Sequence, residues 1–517
     1  MDFANYKGIY KDCLFNRGFL YVSQQIDSVP FLTGWKKYDD VFGGVYLYSP
    51  NTIFNVRCHD GLEFVLIGHA YNPIKMIYKE EELLNELCLC NGVDDYIKEI
   101  NEWTGLFTLV IKSKESSIVM GDCCCMQSAY YGIINNLFCI ASHAQILGDL
   151  FSLEQSGYVK KMKKYKNWKM YGLFLPGDTS QFDCVKRIVP NTYVQFMNGK
   201  VRINRFFPIC NNDVVVTDDD YDHVINKIAT LLANNLKLIA LKWKRPAISM
   251  TGGMDSKTTV ACANGLYDKY KFYSYISMGG DEPDANAAKI IAKEIGVNHD
   301  VYRISEKDSD FPKIEELREI LEHNYGDIGK VNPNDVRKRA FFVLNNMFDV
   351  EVKSWVSEIG RANYYKKFGV KKMPKKLSPR AMTTMYKFFS YNRIDALRTD
   401  HIFKNYIKKT NFHNIYNYDS SDMYLWEFRY GAWGGLVLTS EHRSSYEITI
   451  PYNNRILMNE FLKIPLDKRI DDVPHYDIIR LANKKIDDLG ITIVNWNETK
   501  KRQILEKIYW YVNRFIV

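Results

Sequence analysis

The stretch Arg245 to Gly265, RPAISMTGGMDSKTTVACANG, constrains this chain more than any other. Ala247-Ile248-Ser249-Met250 is a short, mostly apolar run after a proline, the pattern of a buried strand. Thr251-Gly252-Gly253-Met254-Asp255-Ser256 reads as a turn, Lys257 to Asn264 as a helix, and Gly265 as its C-terminal stop. A strand, a two-glycine loop and a helix start make an anion nest, because glycine lets backbone N–H groups approach a ligand and the helix dipole favours negative charge. Thr251 and Ser256 add hydroxyl donors. Asp255 would repel phosphate, so it predicts a cation beside it, such as Mg2+. An ordinary strand-to-helix turn is the bland alternative for a bare Gly-Gly, but six residues in this order with these flanks favour the nest. The Gly-Lys-Ser/Thr ending of a Walker loop is absent.

With 517 residues, 46% of them hydrophobic and 25% charged, the chain reads as soluble, globular and long enough for several domains. The opening MDFANYKGIYKD has no apolar core segment, and no run approaches the roughly 20 apolar residues that span a bilayer. A cytoplasmic protein without a membrane partner is expected. A net charge of +8 permits anionic substrates without demanding nucleic acid, which is not expected as a partner. All 11 cysteines lie between Cys13 and Cys262 with no CxxC pair, which removes support for zinc and thioredoxin-like readings. Cys123-Cys124-Cys125 predicts a buried strand or turn in a reducing compartment.

Residues 1–210 are rich in short apolar or alternating runs. Val45 to Tyr48, Phe64 to Ile67, Phe107 to Ile111 and Phe138 to Ala141 predict strands, while Lys79 to Cys90 and Val93 to Trp103 have helical spacing. Sheets with helices packed on them follow. Asn211 to Asp220 is polar and acidic and reads as a linker. Residues 221–517 then alternate. Tyr221 to Trp243 predicts a long amphipathic helix, Lys271 to Met278 a strand, Asp284 to Ile295 a helix stopped by Gly296, and His299 to Ile304 a strand. This alternation implies a parallel sheet with ligands at the carboxyl ends of its strands, so an adenine would lie near Ser249 and Met278. Val352 to Val356 predicts a further strand, leading into Ser357-Glu358-Ile359-Gly360-Arg361. Lys366 to Lys409 is lysine-rich and predicts a solvated mobile loop or, as the sharper alternative, a surface recognising an anionic substrate.

The loop resembles the pyrophosphatase loop (PP-loop) of ATP-dependent ligases, in a threonine variant of Ser-Gly-Gly-x-Asp-Ser. Four stretches resemble the glutaminase domain of class B asparagine synthetases: Gly68 to Asn72, Asn101 to Phe107, Gly121 to Gly132, and Phe138 to Leu147. Asp178 to Asn191 resembles the exit from that domain. Ser357 to Tyr365 is similar to the family's Ser-Gly-Glu-Gly-x-Asp-Glu segment. There Ser357 and Gly360 align, Glu358 is shifted by one, and Arg361-Ala362 replace the second magnesium carboxylate. Ser445 to Arg455 resembles Ser-x-Glu-x-Arg-x-Pro-Phe-Leu-Asp-x-Arg, with Glu447 and Pro451 matching. The family's lysine that steadies the leaving pyrophosphate falls on Tyr476, beside His475.

The resemblance implies an α/β chain. An Ntn-hydrolase-like αββα sandwich over 1–210 would be followed by a PP-loop, adenine nucleotide α hydrolase-like parallel α/β synthetase domain over 221–517. It implies ATP and Mg2+ as cofactors. Ser249, Thr251, Gly252, Gly253, Asp255, Ser256, Lys257, Met278, Ser357 and Gly360 would bind the nucleotide, and Asp255 the metal. Glu358, Arg361, Glu447, His475 and Tyr476 are the catalytic candidates, with Glu358 and Glu447 as bases and Arg361 as a charge neutraliser. The nucleophilic N-terminal cysteine of a glutaminase is absent, since Met1 is followed by Asp2, and Ile67-Gly68-His69 stands in for its glutamine-holding Asn-Gly-Glu. The chain is therefore expected to adenylate a small-molecule, peptide or sugar carboxylate, release pyrophosphate and join an amine without hydrolysing glutamine, as in β-lactam synthetases and lasso-peptide cyclases. A homodimer is compatible with this reading. A degenerate nucleotide-binding scaffold and a PP-loop thiolating or nucleotide-modifying enzyme are the alternatives.

Overall fold

The computed structural model describes residues 3, 6–26, 29–164, 173–387, 393–491 and 500–514. Met1 and Asp2 lie outside the described residues. The architecture is mixed α/β with three sheets.

Two six-stranded sheets come from the first part of the chain. One runs Val185–Arg187, Tyr130–Ile134, Leu137–Ala141, Phe19–Val22, Val45–Tyr48, Lys36–Asp39. The other runs Lys200–Arg205, Thr192–Met197, Ser116–Gly121, Thr104–Lys112, Leu62–Tyr71, Phe54–His59. Strand alternation gives each sheet two faces. On Leu62–Tyr71, Val65 and Ile67 join Phe19, Tyr21 and Ile140 of the first sheet in one buried cluster. Phe64 and Leu66 face the other way and pack with Leu83, Leu84 and Leu87 of the helix Glu80–Cys88. The helix Ala144–Phe151 covers the outer face of the first sheet through Ile146 and Leu147. Gly68 and Gly105 let two of these strands approach: a Cβ at Gly68, whose φ is +101°, would sit 2.2 Å from Leu106 O.

The third sheet is wholly parallel, in the order His299–Arg303, Lys271–Ile276, Pro246–Ser249, Val350–Val352, Glu447–Thr449. Helices Asp218–Lys242, Met254–Cys262 and Glu282–Ile295 connect or flank its strands, and Gly296 at φ +72° ends the last of them. Asp218–Lys242 is the one described helix long and apolar enough to cross a membrane, and 56% of its apolar window is buried inside the protein. Its Ile228, Leu232 and Leu236 belong to the same continuous core as Leu106 and Ile248.

The polar stretch Asn211 to Asp220, read as a linker, runs without helix or strand as far as Thr217 and is tied down along its length. Asn212 donates through its backbone N–H to Asn417 Oδ1 (2.6 Å) and through Nδ2 to Leu462 O (2.7 Å), and Thr217 caps the helix that begins at Asp218. The strand expected over Val352 to Val356 ends at Val352, because Ser354 turns to Thr259 and Val356 adopts a left-handed φ of +82°. Lys366 to Lys409 is largely helical rather than a loop, with Pro379–Lys387 and Arg393–Lys409 as helices; residues 388–392 lie outside the described ones. Its lysines find acids from distant sequence, as Lys366 does with Asp472 and Lys367 with Glu506.

Candidate active site

The loop strand Pro246–Ser249 is flanked on both sides by parallel neighbours, so its carboxyl end opens between them. Gly253, at φ −70° and ψ 151°, is the N-cap of the loop helix Met254–Cys262, which begins three residues earlier than the sequence predicts. Side chains occupy the N–H groups of Thr251, Gly252 and Gly253 that the sequence predicts as anion donors. The Thr251 N–H donates to Ser256 Oγ (3.0 Å), the Gly253 N–H to Thr251 Oγ1 (3.2 Å), and the Gly252 N–H to Asp284 Oδ1 (3.1 Å). Ser256 Oγ in turn donates to Ser249 O (3.3 Å). The first N–H groups of the loop helix have no carbonyl one turn back and point out of its N-terminus.

Asp255, in the first turn, is the hub of a charged cluster. Arg361 Nη1 donates to both its oxygens (2.9 and 2.8 Å), and Ser357 Oγ donates to Oδ1. The same guanidinium reaches Asp472 through Nε (2.8 Å) and Nη2 (2.9 Å), and Lys366 Nζ joins it on Asp472. Burial pushes the Asp472 carboxyl up, but Arg361 and Lys366 outweigh it and hold it at about 2. His475 stacks on Phe461 with its Nε2 3.8 Å from Asp255 Oδ1; burial, then Arg361, lowers its pKa to about 4. Glu358 accepts a hydrogen bond from the Tyr430 hydroxyl, and burial, then Asp255, raises its carboxyl to about 7. Tyr430 lies in Leu425–Gly434, a π-helical stretch of the kind that often marks functional sites.

Magnesium at Asp255, held by that carboxylate and a nucleotide's phosphates, would have to displace Arg361 and Ser357 from it. The Asp255 carboxylate carries a bidentate guanidinium and a hydroxyl, and among the described residues no group of three or more His, Cys, Asp or Glu side chains could hold a metal ion.

Other expected residues land elsewhere. Glu447 is level with Val350, which pairs with Pro246, so it stands at the amino end of the sheet, four residues at about 3.3 Å each from Met250. There it is buried and bound by Arg443 Nε (2.7 Å), Arg17 Nε (3.3 Å) and the Ile448 N–H (2.9 Å). Burial raises it, but Arg443 and Arg17 prevail and hold it at about 2, so it is no base for the loop. Gly360 serves packing: a Cβ there would come 2.8 Å from Phe461 Cβ. Lys257 turns inward to Ile491 O, 6.0 Å from the Tyr476 ring. Met278 is exposed beyond the end of Lys271–Ile276, its N–H bound by Asp281. Thus Asp255, Ser256, Ser357, Glu358, Arg361 and His475 gather around the loop and Glu447 does not.

Sequence reasoning missed Asp472, Tyr430 and the site role of Lys366. Only Asp472 carries a local signal, an acid directly before a Val-Pro helix start and His475-Tyr476.

No protein-family profile and no curated protein matches the chain. Solved structures give coarse likenesses. The allosteric regulatory enzyme of purine biosynthesis has 9% identity over 63% of this chain and 90% of its own, with a TM-score of 0.26. The glutamine phosphoribosylpyrophosphate amidotransferase from B. subtilis, complexed with ADP and GMP, has 10% identity over 63% of this chain and 76% of its own, with a TM-score of 0.22. The glutamine-dependent NAD+ synthetase from Acinetobacter baumannii, in complex with ADP, has 10% identity over 50% of this chain and 61% of its own, with a TM-score of 0.21. At these identities and scores the likeness lends this chain no residue role, ligand or reaction.

Proposed function

We propose that this chain is an ATP-dependent amide ligase that adenylates a substrate carboxylate and joins it to an amine. One observation carries the reading: a two-glycine loop, ending a central parallel strand and starting a helix, meets Arg361, Lys366 and the Glu358–Tyr430 pair. Backbone N–H groups and the helix dipole favour the nucleotide phosphates at the loop. The carboxylate attacks the α-phosphorus in line, giving an acyl adenylate and pyrophosphate. Arg361, held by Asp255 and Asp472, neutralises the charge that develops on the leaving group by exchanging one of these carboxylates for it. The amine then attacks the acyl carbon, AMP departs, and the amine proton goes to Glu358, whose pKa of about 7 suits a general base.

Ammonia from glutamine is no part of the scheme. Cys13 is buried with its Sγ 3.8 Å from Ser444 O, burial pushes its thiol up to about 12, and burial lowers His69 to about 3. The test is pyrophosphate release from ATP in a screen of sugar acids, amino acids and peptides with amine donors. Pyrophosphate with one acid supports the reading, and phosphate release alone contradicts it. A second reading, a nucleotide-binding scaffold, is favoured by the full engagement of Asp255 with Arg361 and Ser357. Tight ATP binding with no pyrophosphate from any acid or acidic extract would support it.

A further inference from the structure

The lysines that follow Arg361 divide into two sets. Lys366 and Lys367 are paired, with Asp472 and Glu506. Lys371, Lys372, Lys375 and Lys376 are exposed, and none has an ion pair or hydrogen bond among the described residues. The sequence holds no acid from Arg361 to Ile394. The acids of the elements packed beside this segment are engaged: Glu506 with Lys367, Asp419 with the Tyr365 hydroxyl, and Asp422 with Arg469.

Asn363–Phe368 and Pro379–Lys387, the helices on either side of the four free lysines, both pack against the helix Lys500–Asn513. That helix is apolar on two faces. Trp510 is fully buried and stacks on Phe368 with ring centroids 4.6 Å apart, while Glu506 on the same side meets Lys367. The opposite face carries Ile504, Leu505, Ile508, Tyr511 and Val512, each between 39% and 65% exposed. At 3.6 residues per turn these five fall in a stripe about 120° wide. Single exposed apolar side chains are ordinary; five in one stripe mark an interaction surface. Lys507 flanks the stripe and points to the lysine segment, its Nζ 3.1 Å from where a Cβ on Gly369 would lie. An apolar stripe edged by unpaired lysines complements acyl chains beneath anionic headgroups. A second copy of this chain would instead bring like charges together across a two-fold interface. The 14 residues of the helix, about 21 Å long, are too short to span a bilayer.

We propose that the helix Lys500–Asn513 docks the protein on an anionic membrane surface. Its apolar stripe enters the headgroup boundary, and Lys371, Lys372, Lys375, Lys376 and Lys507 meet the headgroups. This departs from the expectation of a chain without a membrane partner, and it is independent of the ligase reading. The test is cosedimentation of the full chain with vesicles of phosphatidylcholine, and of an equal mixture with phosphatidylglycerol, in low and high salt. Binding to the mixed vesicles should be at least about tenfold tighter than to the neutral ones and should weaken in high salt. Lys371→Gln with Lys375→Gln should weaken it about twentyfold, at roughly fivefold per lysine. Ile504→Gln with Ile508→Gln should weaken it at least about a hundredfold. Because all four side chains are exposed, neither double variant should shift the melting temperature. Equal binding to both vesicle types, wild-type binding in either double variant, or no sedimentation with either vesicle overturns the proposal. A dimer that forms without vesicles and is lost in Ile504→Gln with Ile508→Gln overturns it in favour of a second copy.

Discussion

The clusters around Asp255 and Glu447 are built from the same residue types, carboxylates held by arginine, on strands or helices of the same parallel sheet. They differ in where the sheet puts them. Asp255, Arg361 and Asp472 lie at the carboxyl end, where strands diverge, and keep about a fifth of their side-chain surface exposed (22%, 20% and 20%). Glu447 lies at the amino end, sealed beneath Arg443 and Arg17 and close to His69, with 8% of its side chain exposed. A charged cluster at a strand's carboxyl end can accept a ligand, whereas the same chemistry at the amino end holds two parts of the chain together.

The largest expected effect tests the chemical side of this contrast. Glu358→Gln should lower amide formation by about 10²–10⁴-fold. Because the deprotonated carboxylate is the active form, the wild-type rate should rise as pH passes through about 7, and the variant should lose that rise. Rate–pH profiles of both proteins check this, and a rise retained in the variant removes Glu358 as the base.

The structural side is tested by Glu447→Ala, which leaves Arg443 and Arg17 buried without their partner and should cost about 3–5 kcal/mol of stability. Denaturant unfolding measures it, with ATP affinity of the folded variant unchanged. The sign with pH is fixed by the folded value of about 2, below the ordinary carboxylate range. The stabilisation is fully present above the unfolded pKa and is lost as pH falls towards 2, so the variant's deficit should shrink in acid.

Arg361→Ala sharpens the comparison within the loop cluster. Turnover should fall about 10²–10³-fold, while ATP affinity falls less. Wild-type turnover would leave the ligase reading standing without this residue.

Much of the frame was legible because apolar periodicity is local. Phe107 to Ile111 sits inside the strand Thr104–Lys112, and Asp284 to Ile295 inside the helix Glu282–Ile295. The helix start at Met254 was missed because Gly253 caps it without a side-chain signal. The neighbourhood of the loop was legible only in part. Ser357, Glu358 and Arg361 are close in sequence, but Tyr430 and Asp472 join them from 72 and 111 residues away (Glu358 to Tyr430, Arg361 to Asp472), and no periodicity encodes such pairings. Glu447 was misread for the opposite reason. Its motif is local, but which end of a strand it occupies depends on the register with Val350.

The central claim is that the Thr251 to Ser256 loop receives the phosphates of ATP. Gly253 offers the most direct test, because a Cβ there meets only Thr251 Oγ1, at 3.3 Å, and φ is ordinary for any residue. Gly253→Val should fold, with a stability loss of about 1 kcal/mol from the poorer N-cap, yet crowd the mouth of the loop. Calorimetric titration with ATP should give a clear binding isotherm for the wild-type chain and none for Gly253→Val. Equal affinity in the two proteins would contradict the account.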